Sequence, residues 1–542
     1  MQVNVLIGVG GTGAKIIESS LFLMSAGFGP EGSPVHVGVV DQDNSNGNVQ
    51  RTEALLRLIA DLQADFDQPA NKIDREKSGE APELFSVPVR PLFGASGHWR
   101  PAEDDQSTLR DILRRSDMPR GEQALFDLLY RGEGAAPAEA EQTMDLAEGY
   151  RGRAHVGAAA LVCALEYDSP DFLDQITRLM RETAAGNEVR IFITGSLFGG
   201  TGAAGFPTIA RVLHRLRAPK TDAERQRANG INGDKVSIGG ALMLPYFQFG
   251  DPASPEANVI RTAQLLPQAR VAVEFYETLL EQERVFDRLY VAGWDTMFQL
   301  NYHQPGREAQ RNPALLPELI AALAASHFLR GEKPDRTGAP RPYAAARASA
   351  ETIGWGDLPL SDEERLELYK ELGGAFRFAL YWRYRLDEAL DRRGLFGGSR
   401  GWVGKLTPDV DWRTTGRAIR DRLNTYSEAL LGWASSMRLF AGTGVRDFAL
   451  WHGERIWQSR DLSQPANPIV LQPQRSEEET FDDLNGLLTL LDPSQASKDR
   501  VVDARVVYSD LNEIDGRQMA HRGFGRLVTA VHRATQPFRE QG

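Results

Sequence analysis

The chain reads as an α/β protein: a doubly wound, mostly parallel sheet joined by a buried central helix to an α+β C-terminal domain. Three observations predict it. A buried-strand run, "VNVLIGVG" (3–10), passes through glycines into the helically spaced "GAKIIESSLFLMSAG" (13–27), and a second strand, "PVHVGVVDQD" (34–43), follows and ends in acids. The same strand–glycine–helix order returns about 180 residues later in "EVRIFITGSLFGGTGAAGFPTIARVLHRL" (188–216). Finally, "NPALLPELIAALAASHFLRG" (312–331) is apolar on nearly every face, the pattern of a helix buried between two layers.

Taken in order, Ile16, Ile17, Leu21 and Leu23 or Met24 give the first helix its apolar face. Polar stretches containing Pro and Gly at 68–82 and 131–143 read as surface loops. "KVSIGGALMLPYF" (235–247) and "RLYVAGWD" (288–295) continue the strand series, with a long helical segment between them that Pro267 is expected to kink or divide. In 312–331, Asn312 reads as the N-cap and Pro313 as the first helical residue. The character changes after "GEKPDRTGAPRP" (331–342), dividing the chain into 1–311, a helix and loop at 312–335, and a C-terminal domain at 336–542. There "SDEERLELYKELGGAFRFALYWRYRLDEALDRR" (361–393) opens on a capping box, Ser361 and Glu364, and reads as one long helix weakened at Gly373–Gly374. "PIVLQPQ" (468–474) and "DARVVYSDL" (503–511) read as strands, and the basic tail 516–542 as helical in its middle.

Composition narrows the function classes. Lys and Arg number 62 against 74 Asp and Glu, a net charge of −12, which argues against a nucleic-acid partner and against binding to anionic lipid. The single cysteine, Cys163, excludes an internal disulfide framework and a cysteine-cluster metal site. Histidines without H-x-x-x-H spacing indicate no zinc site. With neither an apolar run of membrane-spanning length nor a basic segment leading into an apolar core at residue 1, the expected setting is cytoplasmic, without membrane insertion.

The chemistry lies in the glycine loops. A glycine turn after a strand lets backbone approach an anion, and the free N–H groups of the following helix favour negative charge. "GVGGTG" supplies Gly8, Gly10, Gly11 and Gly13, with the Thr12 hydroxyl between them. Alone it fits a dinucleotide fingerprint, with Asp41 available to a ribose, and so admits an NAD-dependent oxidoreductase; it also admits a tight turn that binds nothing. The second loop, "GGTGAAG" (199–205), opens its own helix. Two positive helix ends suit the longer, more negative tail of a nucleoside triphosphate. A Walker P-loop is excluded, because G-x-x-x-x-G-K-[ST] is absent and no lysine follows either loop in the required place.

These residues carry a resemblance. "FITGSLFGGTGAAG" resembles the phosphate-loop signature of the tubulin and FtsZ superfamily, "IGVGGTGAKII" is similar to the first loop of the FtsZ branch, and "GVVDQDNSNGN" (38–48) resembles the acidic loop after the second strand. Order and spacing agree over about residues 1–335, as in a divergent bacterial tubulin-like protein. The chain departs from the signature at Phe198, where its first glycine belongs, and at Ala204, where its last belongs, although Gly205 follows.

The resemblance implies a GTP-binding domain that holds GTP or GDP with Gly10, Gly11, Thr12 and Gly13 on one side and Gly199, Gly200, Thr201 and Gly202 on the other. It implies contacts from Asp41, Asp43, Asn44 and Asn46 to ribose, phosphate-bound water or Mg²⁺, with Asp41 and Asp43 as the metal candidates; a solvated Asx turn is the plain alternative. Asp295, Asn301 and Asn312 fall where the base is read. Glu332 and Asp335 fall where one subunit completes hydrolysis in the next, although a solvated loop also explains them. Head-to-tail self-assembly into filaments follows, with the C-terminal domain open to other proteins. A non-hydrolysing nucleotide-binding scaffold is the alternative that Phe198, Ala204 and the sparse acids favour. The oxidoreductase reading lacks an acid–base candidate in the second domain. The aromatic-rich stretch at 444–457 reads as core or subunit contact.

Overall fold

The structure, a computed structural model, describes residues 1–43, 45–73, 84–102, 108–131, 140–165, 170–250, 262–294, 298–300, 312–334, 336, 342–347, 360–383, 402–410, 415–439, 504–516, 519 and 521–536. The strands are β1 (Gln2–Val9), β2 (Val35–Val40), β3 (Val89–Pro91), β4 (His98–Trp99), β5 (Glu188–Ser196), β6 (Val236–Met243), β7 (Phe247–Phe249), β8 (Arg288–Trp294), β9 (Phe298–Leu300) and β10 (Pro342–Arg347). They form a parallel sheet in the order β10–β8–β6–β5–β1–β2–β3, with β4 also on β2, and a small parallel pair of β7 with β9. β1 is central: Gly8 is opposite Val39 of β2 on one side and Thr194 of β5 on the other. From β1 the chain steps outward to β2 and β3, then returns to build β5, β6, β8 and β10 on the other flank. The reversal makes the gap between the C-terminal ends of β1 and β5 the topological switch point, where open parallel sheets hold ligands.

Parallel strands are covered on both faces and therefore read as continuous apolar runs. Every residue of β6 is buried, as is all of β5 after Glu188. Alternation then sorts the core. Val5, Ile7 and Val9 face a layer that includes the helices Ala154–Cys163 and Thr201–Arg217, while Leu6 faces α1 (Gly10–Ala26), α2 (Gly47–Asp67) and the central helix Leu316–Arg330.

The C-terminal helices extend that second layer outward. In the helix Thr415–Leu439, the Trp433 indole N–H donates to Ser19 Oγ (3.1 Å), Tyr426 and Ser25 hydroxyls share a hydrogen bond (2.8 Å), and Arg422 pairs with Asp65 (2.5 Å). The helix Asp362–Tyr381 keeps its capping box, Ser361 with Glu364, and runs unbroken through Gly373–Gly374. Gly374 leaves room for the Gln536 side-chain amide, which follows the helix Gly523–Thr535.

The central helix is buried, as its all-round apolarity predicts, with twelve of its fifteen residues out of solvent. Its start differs from the sequence reading. It begins at Leu316, not at Pro313, and Asn312 is not its cap. Glu318 takes that role by accepting the Leu315 N–H (2.8 Å), while Asn312 donates its N–H to Asn48 Oδ1 (2.7 Å) and its carbonyl accepts from Arg51 (3.0 Å). Replacing Leu323, fully buried in this helix, with alanine is expected to lower unfolding free energy by about 2–5 kcal/mol in a urea titration.

Other readings are corrected as well. Residues 342–347, assigned to the C-terminal domain, form β10 and pair with β8 from Pro342 opposite Leu289 to Arg347 opposite Trp294, so the sheet extends past the boundary expected at 335. The strand expected at 503–511 is a helix, Ala504–Glu513. Its buried Val507 and Leu511 are four apart, and a short apolar run reads either way. Among the described residues after 347 the regular elements are helical rather than α+β, and the strand expected at 468–474 lies outside the described residues. The helix Thr262–Thr278 continues through Pro267 without dividing. Among the described residues no helix is long and apolar enough to cross a membrane.

Candidate functional site

The two glycine loops, about 190 residues apart in the chain, are in backbone contact. Gly10 has φ +74°, and a Cβ on it would stand 2.9 Å from the Gly202 amide nitrogen and 3.5 Å from Thr201 Cβ. Neither helix that follows is capped by a side chain: Val9 precedes α1 and Gly200 precedes Thr201–Arg217, each without a capping hydrogen bond. Their first-turn amides thus receive no hydrogen bond from a capping side chain, and both helix dipoles add positive potential beside one cleft. Gly199, at φ +94°, has open space where its Cβ would be, so backbone is exposed to whatever enters.

Not every glycine of the motif faces the cleft. A Cβ on Gly13 would lie 2.7 Å from the Gly8 carbonyl carbon and 2.8 Å from the Thr194 oxygen; Gly13 lets α1 pack against β1 and β5, and it is not among the cleft-lining residues. Gly200 does line the cleft, yet it is also held against the loop 148–152, with Tyr150 Cβ 2.7 Å from its own Cβ position.

The cleft, open to solvent on one side, spans about 790 Å³ with that open space included. Its lining combines the glycines, Thr12, Lys15, Asp41 and Asp43 with the apolar Phe247, Phe249 and Leu265. Phe198, the departure from the signature, is folded into the wall, meeting Phe247 edge-to-face at 5.3 Å and Tyr246 at 6.0 Å. Ser196 Oγ donates to its carbonyl (2.6 Å), which fixes the turn ahead of Gly199.

The acidic loop closes over the second glycine loop. Thr201 Oγ1 donates to Asp41 Oδ1 at 2.8 Å. Asp43 accepts from the Ser45 N–H (3.0 Å) and hydroxyl (2.8 Å). Both acids are buried, 3% and 7% exposed, and burial together with the Asp43 charge pushes the Asp41 carboxyl up to about 6. Behind them His98 Nε2 is 2.9 Å from the Asp41 carbonyl oxygen and Nδ1 is 2.8 Å from Glu53. Burial works against its charge, but Glu53, the Asp41 carbonyl and the Asp41 carboxylate prevail and raise its pKa above the ordinary imidazole value. Asn46 caps α2 by accepting the Asn48 N–H (3.0 Å) and brings its Nδ2 to the edge of Gly11. Asn44 lies outside the described residues, as do Asp295 and Asn301; Asn312 lines the cleft.

Among the described residues no group of three or more His, Cys, Asp or Glu stands ready for a metal. Two carboxylates suit a cation that keeps several waters and borrows phosphate oxygens, which is the habit of Mg²⁺ and not of a structural zinc.

Several lining residues escape the motif reading. Lys15 lines the cleft from the second turn of α1; its signal in the sequence is a lysine directly before the apolar pair Ile16–Ile17 of that helix. The loop Glu148–Gly152 forms a third wall, carrying Arg151 at φ +46°, ion-paired to Glu148. It follows polar sequence with no periodicity, so nothing marks it in advance.

Glu332 is far from the cleft of its own chain. It is exposed in the loop after the central helix, where Gly331 accepts a hydrogen bond from Arg190 and Lys333 pairs with Glu188 (3.3 Å), both on the opening residues of β5. The cleft is at the other end of that strand, roughly 25 Å away for its length. Asp335 lies outside the described residues.

No protein-family model matches the chain, and a search of curated proteins returns no match either.

Proposed function

We propose that the chain binds GTP and GDP between its two glycine loops, in the manner of the tubulin and FtsZ superfamily, and self-assembles head to tail. One observation carries the reading: two strand–glycine–helix units distant in sequence meet in backbone contact at the sheet's switch point, each with an uncapped helix N-terminus. An NAD pyrophosphate uses one such helix end, and here the carboxylate that a ribose would need, Asp41, is already hydrogen-bonded to the second loop.

In this reading the amides of Gly10, Gly11 and Thr12 and of Gly199–Gly202 hold the phosphates. Asp41 and Asp43 would hold Mg²⁺, which when bound would neutralise charge on the phosphate oxygens. The base lies toward Phe247, Phe249 and Asn312. Hydrolysis calls for a carboxylate that orients water, and Glu332, unable to reach its own cleft, would serve the cleft of a neighbouring copy. Stacking of this kind is heterologous and does not close, so it gives filaments.

The test is nucleotide binding by calorimetry followed by sedimentation with GTP, GDP and a non-hydrolysable triphosphate. Saturable binding of guanine nucleotide with Mg²⁺, and pelleting that depends on the nucleotide, are expected. Absence of binding to any nucleotide overturns the reading. Tight binding without turnover or pelleting instead identifies a non-hydrolysing scaffold.

A further inference from the structure

We propose that Lys15 is the countercharge of the bound polyphosphate and that it passes occupancy of the cleft to the central helix through Glu318. The inference rests on the nucleotide reading above.

Lys15 lines the cleft, and its ammonium is ion-paired to Glu318, with the two side chains 2% and 0% exposed. Glu318 is also the acceptor that orders the first turn of the central helix. One oxygen takes the Leu315 N–H (2.8 Å) and the other takes the Tyr246 hydroxyl (2.6 Å), beside which Thr12 of the first glycine loop stands. A continuous polar path thus runs from the phosphate loop to the start of the central helix.

Neighbouring charges do not replace Lys15. Arg51 is held by Glu18 through two hydrogen bonds of 2.7 Å and by the Asn312 carbonyl, and Arg151, the other cation among the described lining residues, is held by Glu148. A buried ion pair is a poor device for stability, since desolvating both ions offsets much of their attraction and an apolar pair often serves as well. Its position gives it another use. Lys15 lines the same cleft as the glycine loops, and its carboxylate partner belongs to the first turn of the central helix. Burial lowers the Lys15 pKa and raises that of Glu318, and an anion in the cleft would favour the ammonium over its neutral form. A polyphosphate shares the ammonium with Glu318 and loosens its grip on the helix start.

The two partners should therefore respond unequally. K15M is expected to weaken triphosphate binding by about tenfold or more, whereas E318Q, which keeps Lys15 and an oxygen for the Leu315 N–H, retains it within about threefold or tightens it. A merely structural pair loses the same affinity whichever partner is removed, and that symmetry, or K15M binding like the wild type, overturns the proposal. Should either single variant fail to fold, K15M/E318Q, neutral throughout, is expected to bind as weakly as K15M, and wild-type affinity in a folded double variant overturns the proposal. In the unaltered protein, amide hydrogen exchange at 315–320 is expected to change on triphosphate binding; an unchanged pattern with nucleotide bound counts against the relay. If the wild type binds no nucleotide, the functional reading itself has failed. If it binds and the asymmetry is missing, only the role of Lys15 falls.

Discussion

Gly10→Ala is expected to abolish nucleotide binding and to lower stability by roughly 2–5 kcal/mol, combining left-handed backbone strain with overpacking. Residue 10 sits at φ +74°, so any side chain is strained there, and its Cβ would press on the Gly202 amide nitrogen at 2.9 Å. Neither backbone can yield without separating the two loops, because Gly13 locks α1 against β1 and β5, and a Cβ on Gly202 would itself stand 2.9 Å from Ser196 Oγ. Gly32→Ala is the matched control. Gly32 has φ +61° with nothing within 4 Å of its Cβ position, so it carries the strain and no collision. It should cost about 1–2 kcal/mol and leave binding untouched. Denaturant titration and nucleotide calorimetry on the two variants separate the effects. Binding retained by Gly10→Ala would show that contact between the loops is not what makes the site.

Asp41→Asn should reverse the usual expectation for removing a hydrogen-bonded side chain. The Asp41 carboxyl is raised from 3.8 to about 6 by burial and by Asp43, so the folded state holds that proton more tightly than the unfolded one. Between pH 4 and pH 6 the native protein therefore loses stability as pH rises, and above pH 6 the full penalty, roughly 2–3 kcal/mol, is present. Asparagine keeps an oxygen to accept the Thr201 hydroxyl and removes the charge. At pH 8 the variant is expected to melt higher than the wild type, and at pH 4 the two should converge. The same change should abolish the Mg²⁺-dependent part of nucleotide affinity, since the cation is what offsets two neighbouring carboxylates. Protonation predicts further that Mg²⁺ dependence in the wild type fades as pH falls through about 6. Equal destabilisation of Asp41→Asn at pH 4 and pH 8 would refute this account of the acid pair.

Much of the fold was legible because burial writes itself into composition. β5 and β6 are apolar without interruption since both faces are covered, and the central helix is apolar all round for the same reason. Errors fell where local signals compete with distant ones. Asn312 and Pro313 look like a helix start, yet Asn48 and Arg51, from a segment about 260 residues earlier, hold Asn312 outside it. At 504–513 a short apolar run reads equally as strand or helix until neighbours choose. β10 is weakly apolar, "PYAAAR", and joins the sheet because β8 leaves an edge to pair with.

The candidate site divides along the same line. Its glycine loops and acids were legible as local motifs, because strand-to-helix turns that expose amides require glycine wherever they occur. Gly13 packs α1 against β1 and β5 and is not among the cleft-lining residues; a motif does not tell a glycine that admits a ligand from one that admits a strand. Lys15 and the loop Glu148–Gly152 were invisible to motif reading, as their place depends on contacts between elements and not on spacing within one.

By itself, then, the sequence determined two strand–glycine–helix units, an acidic loop and a helix with no solvent face, all consequences of local periodicity and backbone freedom. Only the tertiary structure decided that the two loops touch, that Asp41 is hydrogen-bonded to Thr201, and that Lys15 and Glu318 join the cleft to the central helix. The physical reason is range: a turn's chemistry is set within a few residues, whereas the meeting of two amide cradles depends on the order in which parallel strands pair, and that order is fixed by the packing of the whole sheet.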